Sequence, residues 1–230
     1  DLKLHGVASD DKSRIIINET KEEDQSLIYI NEAIGPRIKE HQIDGVRFLW
    51  NQIVRDPETR QGCLLAHTMG LGKTMQVITF LVALADSSKS KDPSVVAQIP
   101  EDLRKGWTLV LCPPSLVDNW IDEFLIWAPK GLLGKLRKLT ATLKGDDRSD
   151  TVEAWASEGG VLVIGYNMFK ILLEIPGVSE LLVEKPSIVI TDEAHALKNP
   201  ETKTHMACSR FNTNARIALT GTPLHNSVLE

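Results

Sequence analysis

The chain has 230 residues, of which 42% are hydrophobic, a formal net charge of -5 and a sequence pI of about 5.7. This length supports one well-buried core with a flanking segment. The acidic balance excludes a generally basic nucleic-acid coat, because binding of phosphates by bulk charge needs a surplus of Lys and Arg. Any contact with nucleic acid must therefore be local.

The cysteines Cys63, Cys112 and Cys208 are odd in number, far apart and free of CxxC spacing. They favour neither a disulfide framework nor a structural zinc site. No apolar run approaches the roughly 20 residues of a membrane span, and the start of the chain lacks the apolar core of a signal peptide. We therefore expect a soluble protein of a reducing intracellular compartment, with no membrane partner.

In chain order, residues 1–36 alternate short apolar and acidic runs, which predicts an irregular or hairpin-like flank. Apolar residues at intervals of three to five predict a helix over 37–54, which ends at Asp56-Pro57. The polar stretch at 86–105 predicts a mobile surface insertion.

Short, continuous apolar runs recur along the rest of the chain, as expected of strands that are covered on both faces of a parallel sheet. They lie at 62–66, 108–112, 161–164, 187–191 and 216–219. Helical patterns separate them at 73–85, 116–127, 151–157 and 172–183. This alternation predicts an α/β fold with a mostly parallel sheet and helices on both faces.

A glycine-bearing loop at 69–74 lies between the first of these strands and a helix. Backbone N–H groups of such a loop converge on phosphate oxygens, and glycines allow close approach. Lys73 would reach the β- and γ-phosphates, and the Thr74 hydroxyl would ligate Mg2+. The match to G-x-x-x-x-G-K-[ST] is partial, because His67 stands where glycine is expected. A glycine cap beside a solvent-facing lysine is the alternative.

An acidic motif, Asp192-Glu193-Ala194-His195, directly follows the predicted strand at 187–191. Carboxylates at the carboxyl end of such a strand lie where ligands bind in open α/β sheets. Asp192 would hold Mg2+ through water, and Glu193 would orient or deprotonate the attacking water. His195 is placed to sense the nucleotide state. A solvated charged turn and a buried or zinc-ligating histidine are the alternatives, although no HExxH spacing accompanies His195.

A further apolar strand ends in Thr220-Gly221-Thr222-Pro223. Hydroxyls of Thr220 and Thr222 at this end, with Gly221 between them, could bond the acidic motif and couple the γ-phosphate to movement. An ordinary β-turn is the alternative reading.

Together these motifs resemble the first lobe of SWI/SNF-type superfamily 2 ATPases over residues 37–226. The resemblance rests on Gln42 in IKEHQ, MGLGKT at 69–74, LCPPSL with Asn119-Trp120, the acidic motif, and LTGTPLHN at 219–226. The sequence LAHTM at 65–69 is most similar to that of the ATRX-type and recombination-translocase subgroup. The resemblance implies a RecA-like, P-loop NTPase lobe at 37–230, preceded by the flank at 1–36 and completed by a second RecA-like lobe outside this chain.

The same resemblance implies roles for individual residues. Gln42 would read the adenine edge, since an amide both donates and accepts, although a surface-facing glutamine is the alternative. The nucleotide would also contact residues of the loop and the acidic motif: Thr68, Met69, Gly70, Leu71, Gly72, Lys73, Thr74 and His195. The phosphates of one DNA strand would be contacted by loop residues, and contacts of this kind do not depend on the base sequence. These residues are Pro113, Pro114, Ser115, Asn119, Tyr166, Asn167, Lys198 and Asn199. For Pro113-Pro114 a helix start, and for Asn119 a solvated helix face, remain open. Trp120, Phe124 and Trp127 favour a core stripe over a base-stacking platform.

The function implied is an ATP- and Mg2+-dependent translocase on double-stranded DNA, in chromatin and in the nucleus. Because such motors take an arginine finger from the second lobe, we expect the isolated lobe to hydrolyse ATP very slowly. Three alternatives remain: a DEAH-type RNA helicase, disfavoured by the LTGTPLHN wording; a nucleotide-independent interaction module; and a P-loop kinase or small GTPase.

Overall fold

A computed structural model describes residues 14–58, 63–66, 72–140, 145–193 and 203–220. The chain divides into two compact units. The first comprises residues 1–60, 71–104 and 123–133, and the second comprises residues 61–70, 105–122 and 134–230.

The second unit contains a six-stranded sheet in which every described pair of neighbouring strands is parallel. Its strands are β1 (Cys63–Ala66), β2 (Trp107–Cys112), β3 (Leu136–Leu139), β4 (Gly160–Gly165), β5 (Ile188–Thr191) and β6 (Arg216–Thr220), in the order β1-β6-β5-β2-β4-β3. The α/β fold with a parallel sheet is thus confirmed. In the register, Leu111 pairs with Thr191 and Cys112 with Gly165, so β4, β2 and β5 end side by side.

The edge strand β3 was not predicted. Its four residues include Arg137 and Lys138, so no continuous apolar run marks it. The Arg137 side chain is nevertheless buried, because its guanidinium donates to the carbonyl of Gly159 at 3.0 Å and pairs with Glu158. Arg137 and Leu139 are buried while Lys138 between them is exposed, so β3 is fully covered on only one face and lacks a continuous apolar run.

In the described part of the second unit, the sheet is accompanied by α5 (Gly145–Glu158), α6 (Tyr166–Leu172), α7 (Val178–Glu184) and α8 (Lys203–Ser209). The prediction of one helix over 172–183 is wrong. The chain turns at Pro176-Gly177, where Gly177 has a φ of 87°, and α7 begins directly afterwards. The core of this unit is built from strand residues and helix aromatics such as Trp155 and Phe169, both fully buried.

The first unit is helical. It holds α1 (Glu40–Trp50), a π-helical turn (Asn51–Arg55), α2 (Lys73–Ser88), α3 (Pro93–Ala97) and a 3-10 turn (Glu101–Arg104). Another helix, α4 (Val117–Trp127), runs from the second unit into the first. None of the helices in the described ranges has both the length and the apolarity that crossing a bilayer demands.

The prediction of a mobile insertion over 86–105 is also wrong. The Asp92 carboxylate accepts the Ser94 N–H at 2.9 Å and so caps α3. Ile99 and Leu103, farther along the segment, are buried. A few well-spaced apolar residues are enough to dock a polar stretch, which composition does not reveal.

The flanking segment packs within the first unit over its described part, residues 14–36. Ile16 and Tyr29 form an antiparallel bridge, as the hairpin-like prediction required. The Arg47 guanidinium of α1 donates to the Ile16 carbonyl at 2.9 and 2.6 Å, and Asn31 donates to Asp86 of α2 at 2.9 Å. The flank is therefore structurally continuous with the helices that follow it.

Candidate nucleotide and nucleic-acid site

Helix α2 begins at the predicted phosphate-binding lysine. Gly72 caps it with a φ of 100°, a left-handed conformation that residues with a Cβ rarely adopt. Lys73 is the first helical residue and is only 7% exposed, and Thr74 is partly buried. The alternative of a solvent-facing lysine does not fit this burial. Thr68, Met69, Gly70 and Leu71 lie outside the described residues.

Gln42 of α1 lies beside this helix start. Its Oε1 accepts the backbone N–H of Lys39 at 2.9 Å, which fixes the orientation of the amide. Its Nε2 lies against Gly72, so closely that a Cβ at Gly72 would be 2.5 Å away. The structure therefore brings together two predicted nucleotide contacts that are 30 positions apart in the sequence.

A second glutamine, which the sequence interpretation missed, makes the reciprocal contact one turn farther along. Gln76 of α2 lies against Gly45 of α1, where any Cβ would collide with the Gln76 Oε1. Gln76 is 1% exposed, and neither polar atom of its amide has a hydrogen-bond partner among the described residues. A signal was present in the sequence: Gln76 is a polar residue inside a helix that is otherwise apolar on nearly every face.

The acidic pair follows β5 in the second unit, and Asp192 is held from several sides. Its backbone N–H donates to Leu111 at 2.7 Å, which extends the pairing of β5 with β2. Its Oδ1 accepts the N–H of Glu193 at 2.8 Å, and its Oδ2 accepts the indole N–H of Trp120 at 2.8 Å. The Asp192 carbonyl accepts the hydroxyl of Tyr166 at 2.7 Å. Such contacts hold the carboxylate in one geometry, unlike a solvated turn.

Glu193 has a φ of 51°, which places a residue with a long side chain in the left-handed region. Such a conformation costs about 1–3 kcal/mol and persists where its surroundings require it, often at functional sites. The chain thus turns sharply at the second carboxylate. His195 lies outside the described residues.

Two buried groups beside the acidic pair stay protonated near neutral pH. Burial raises the pKa of Cys112 to about 12, and the nearby charges of Asp192 and Glu193 add to the effect. Burial is also the main reason why the pKa of Tyr166 lies well above its usual range. The Tyr166 hydroxyl is therefore a permanent donor to Asp192.

The described side chains fit a magnesium nucleotide. Asp192 holds a fixed carboxylate at the carboxyl end of β5, which suits the oxygen preference of Mg2+. Lys73 belongs to the first unit and the acidic pair to the second, so their meeting at one triphosphate stays a prediction.

The structure describes six of the eight predicted DNA-contact residues. Pro114, Ser115, Asn119 and Asn167 are exposed, and Pro113 is half-buried. Tyr166 is only 7% exposed and its hydroxyl donates to the Asp192 carbonyl, so its contact with DNA stays a prediction. Lys198 and Asn199 lie outside the described residues.

Two further predictions concern the coupling strand and the aromatic stripe. Thr220 is fully buried at the end of β6, and Gly221 and Thr222 lie outside the described residues. Trp120 and Phe124 are buried, as a core stripe requires, and Trp127 is half-buried with the Arg37 guanidinium 4.3 Å from its ring centroid. Helical spacing identified Trp120 as a core residue and gave no indication of its bond to Asp192.

Comparison with known proteins agrees with these motifs. Residues 41–230 match the SNF2-related domain. The chain is 33% identical over 239 residues to protein CHROMATIN REMODELING 20 of Arabidopsis thaliana and 32% identical over 239 residues to the transcriptional regulator ATRX of Mus musculus. These alignments cover 97% and 95% of the chain but only 15% and 9% of the two relatives.

Among solved structures, the fold is similar to a SWI2/SNF2 ATPase core of Sulfolobus solfataricus in complex with double-stranded DNA. The TM-score is 0.56 at 28% identity, over 84% of this chain and 34% of that one. The similarity to ATRX confirms the predicted subgroup, and the archaeal core confirms the RecA-like fold. By its motifs, its parallel sheet and these relatives, the chain belongs to the SNF2-related domain family of SWI/SNF-type ATPases.

Proposed function

We propose that residues 37–230 are the ATP-binding lobe of an ATP-dependent translocase on double-stranded DNA that remodels chromatin. The observation that carries this proposal is the fixed Asp192 carboxylate at the carboxyl end of β5, inside a parallel sheet. Ligands of open α/β sheets bind at that edge.

In this function, Lys73 binds the β- and γ-phosphates and Thr74 contributes its hydroxyl to the metal site. Asp192 holds the metal through water, and Glu193 orients the attacking water. Mg2+ supplies neutralisation of the developing phosphate charge. The Gln42 amide, already placed beside Gly72, reads the adenine edge.

The DNA contacts are local because the chain as a whole is acidic. Ser115, Asn119 and Asn167 are exposed at the carboxyl ends of β2 and β4, where short polar side chains suit sequence-independent contact with phosphates. Asp118 next to Asn119 is paired with Lys138 at 2.6 Å, which offsets one negative charge near this surface.

The names of the relatives support double-stranded DNA and chromatin as the proposed substrate. One solved relative is in complex with double-stranded DNA, and two others carry the names of a chromatin remodeller and a transcriptional regulator. We propose a nuclear location and a DNA-dependent ATPase activity for the protein. We also propose that a second RecA-like lobe, outside this chain, supplies an arginine finger.

Titration with Mg-ATP tests the nucleotide part. We expect the chain to bind Mg-ATP, and Lys73→Ala to weaken binding by at least about tenfold, which corresponds to about 1.4 kcal/mol. Lys91→Ala is the matched control, because Lys91 is an exposed lysine in the same unit. Equal affinity of Lys73→Ala and the wild-type chain would refute the nucleotide role and favour an interaction module.

Binding of labelled duplexes tests the substrate. We expect duplex DNA to bind more tightly than duplex RNA of the same sequence, and Asn119→Ala with Asn167→Ala to weaken binding of every DNA sequence alike. A preference for RNA would favour the helicase alternative.

A further inference from the structure

Two buried aromatic side chains hold Asp192 through their polar atoms. The indole N–H of Trp120 donates to the carboxylate, and the hydroxyl of Tyr166 donates to the carbonyl, at 2.8 and 2.7 Å. Trp120 is fully buried and Tyr166 is 7% exposed. The first bond fixes where the carboxylate points, and the second fixes the peptide that carries it.

Each of these aromatics has an exposed asparagine as its neighbour in sequence: Asn119 precedes Trp120, and Asn167 follows Tyr166. The two pairs lie just beyond the ends of β2 and β4, and Asp192 lies just beyond the end of β5. Because β4, β2 and β5 are neighbours in the sheet, both pairs converge on the same carboxylate-bearing turn.

We propose that Trp120 and Tyr166 are positioning residues that transmit the binding of DNA phosphates at Asn119 and Asn167 to the metal-holding carboxylate Asp192. The inference rests on the proposed function, and it adds the route by which the nucleic acid reaches the nucleotide site.

The helix geometry makes this transmission direct. Asn119 and Trp120 share the first turn of α4, an 11-residue helix, so a displacement of that turn by a bound phosphate moves the indole with it. A charge-assisted N–H to carboxylate bond weakens steeply as its distance and angle change. Asp192 cannot simply follow, because its N–H is bonded to Leu111 of β2.

Tyr166 acts on the same turn from the other side. It is the first residue of α6, and its hydroxyl reaches the Asp192 carbonyl across the end of β2. A phosphate at Asn167 therefore shifts the peptide that carries the carboxylate.

The competing explanation is that both bonds only satisfy buried polar atoms, as tryptophan and tyrosine generally require. The chain offers a matched control for this explanation. Trp155 is also fully buried, and its indole N–H donates to the Gly160 carbonyl at 3.1 Å, without a bond to Asp192.

The test follows the indole N–H signals of the isotope-labelled 230-residue chain by NMR, with the signals assigned in the wild-type protein. We expect short duplex DNA, and separately Mg-ATP, to shift the Trp120 indole signal clearly more than that of Trp155. If DNA binds and both signals move equally little, the inference is overturned while the proposed function stands. If no duplex DNA binds, the proposed function fails and the inference fails with it.

Binding linkage provides the second measurement. In the wild-type chain we expect saturating DNA to change the Kd of Mg-ATP by about fivefold or more, the usual size of such coupling. Trp120→Phe and Tyr166→Phe should bring the ratio of the Mg-ATP Kd values measured without and with DNA close to one. Trp155→Phe should leave this ratio unchanged, although it also removes a buried indole bond. Retention of the full ratio in Trp120→Phe and Tyr166→Phe would overturn the proposal.

Discussion

Replacement of Gly72 by alanine tests the contact between α1 and α2 that we propose for the adenine side of a nucleotide site. Gly72 has a φ of 100°, and a Cβ at this position would be 2.5 Å from the Nε2 of Gln42. Gly72→Ala therefore makes two changes: it strains the backbone before Lys73, and it displaces the Gln42 amide.

Both costs can be derived from the geometry. A left-handed conformation costs a residue with a Cβ about 1–2 kcal/mol. If the displaced Gln42 loses its bond to the Lys39 N–H, a further 0.5–1.5 kcal/mol or so is lost. Gly131→Ala is the matched control, because Gly131 lies in the same unit with a φ of 78° and has no atom within 4 Å of a Cβ. It should show the first cost without the second.

Urea unfolding of the two variants measures this difference, and Mg-ATP titration measures its effect on binding. We expect Gly72→Ala to lower the free energy of unfolding by about 0.5–1.5 kcal/mol more than Gly131→Ala, and the excess to vanish when Gln42 is also replaced by alanine. Mg-ATP affinity should fall in Gly72→Ala and not in Gly131→Ala. Equal losses of stability, or an excess that persists without Gln42, would refute this account of the contact.

Three other predictions concern stability. Gln76→Met should raise the free energy of unfolding by about 1 kcal/mol in urea titrations, because it removes a buried amide whose polar atoms lack partners in the described chain; a loss of similar size would show that the amide is satisfied. Gly160→Ala should lower the thermal midpoint far more than Gly106→Ala, since both glycines have positive φ but only a Cβ at Gly160 meets the backbone of Lys135; equal losses would contradict this. Burial raises the pKa of Cys112 and Cys208 from 9.0 to about 12, so the folded state binds more protons than the unfolded state between these values. The free energy of unfolding should therefore fall as pH rises through this window, by up to about 1.4 kcal/mol per pH unit for each thiol, and a flat profile would argue against buried thiols.

Much of the fold follows from local pattern. Strands such as β4 and β5 are continuous apolar runs because both of their faces are buried, which requires apolar side chains at consecutive positions. The start of α2 at Lys73 follows equally from a short motif, since the conformational freedom of glycine acts locally. The break at Pro176-Gly177 was also local, and the helical periodicity around it concealed it.

The sequence by itself thus determined the parallel α/β class and the family, and it predicted the residues that we propose for the nucleotide chemistry. Only the tertiary structure decided what surrounds those residues. The bond from Trp120 to Asp192 joins positions 72 residues apart, and the contact of Gln76 with Gly45 joins two helices through an amide and a bare backbone. Periodicity reports that a side chain is buried, whereas the direction of its polar atom depends on which elements meet around it, and that is set by packing of the whole unit.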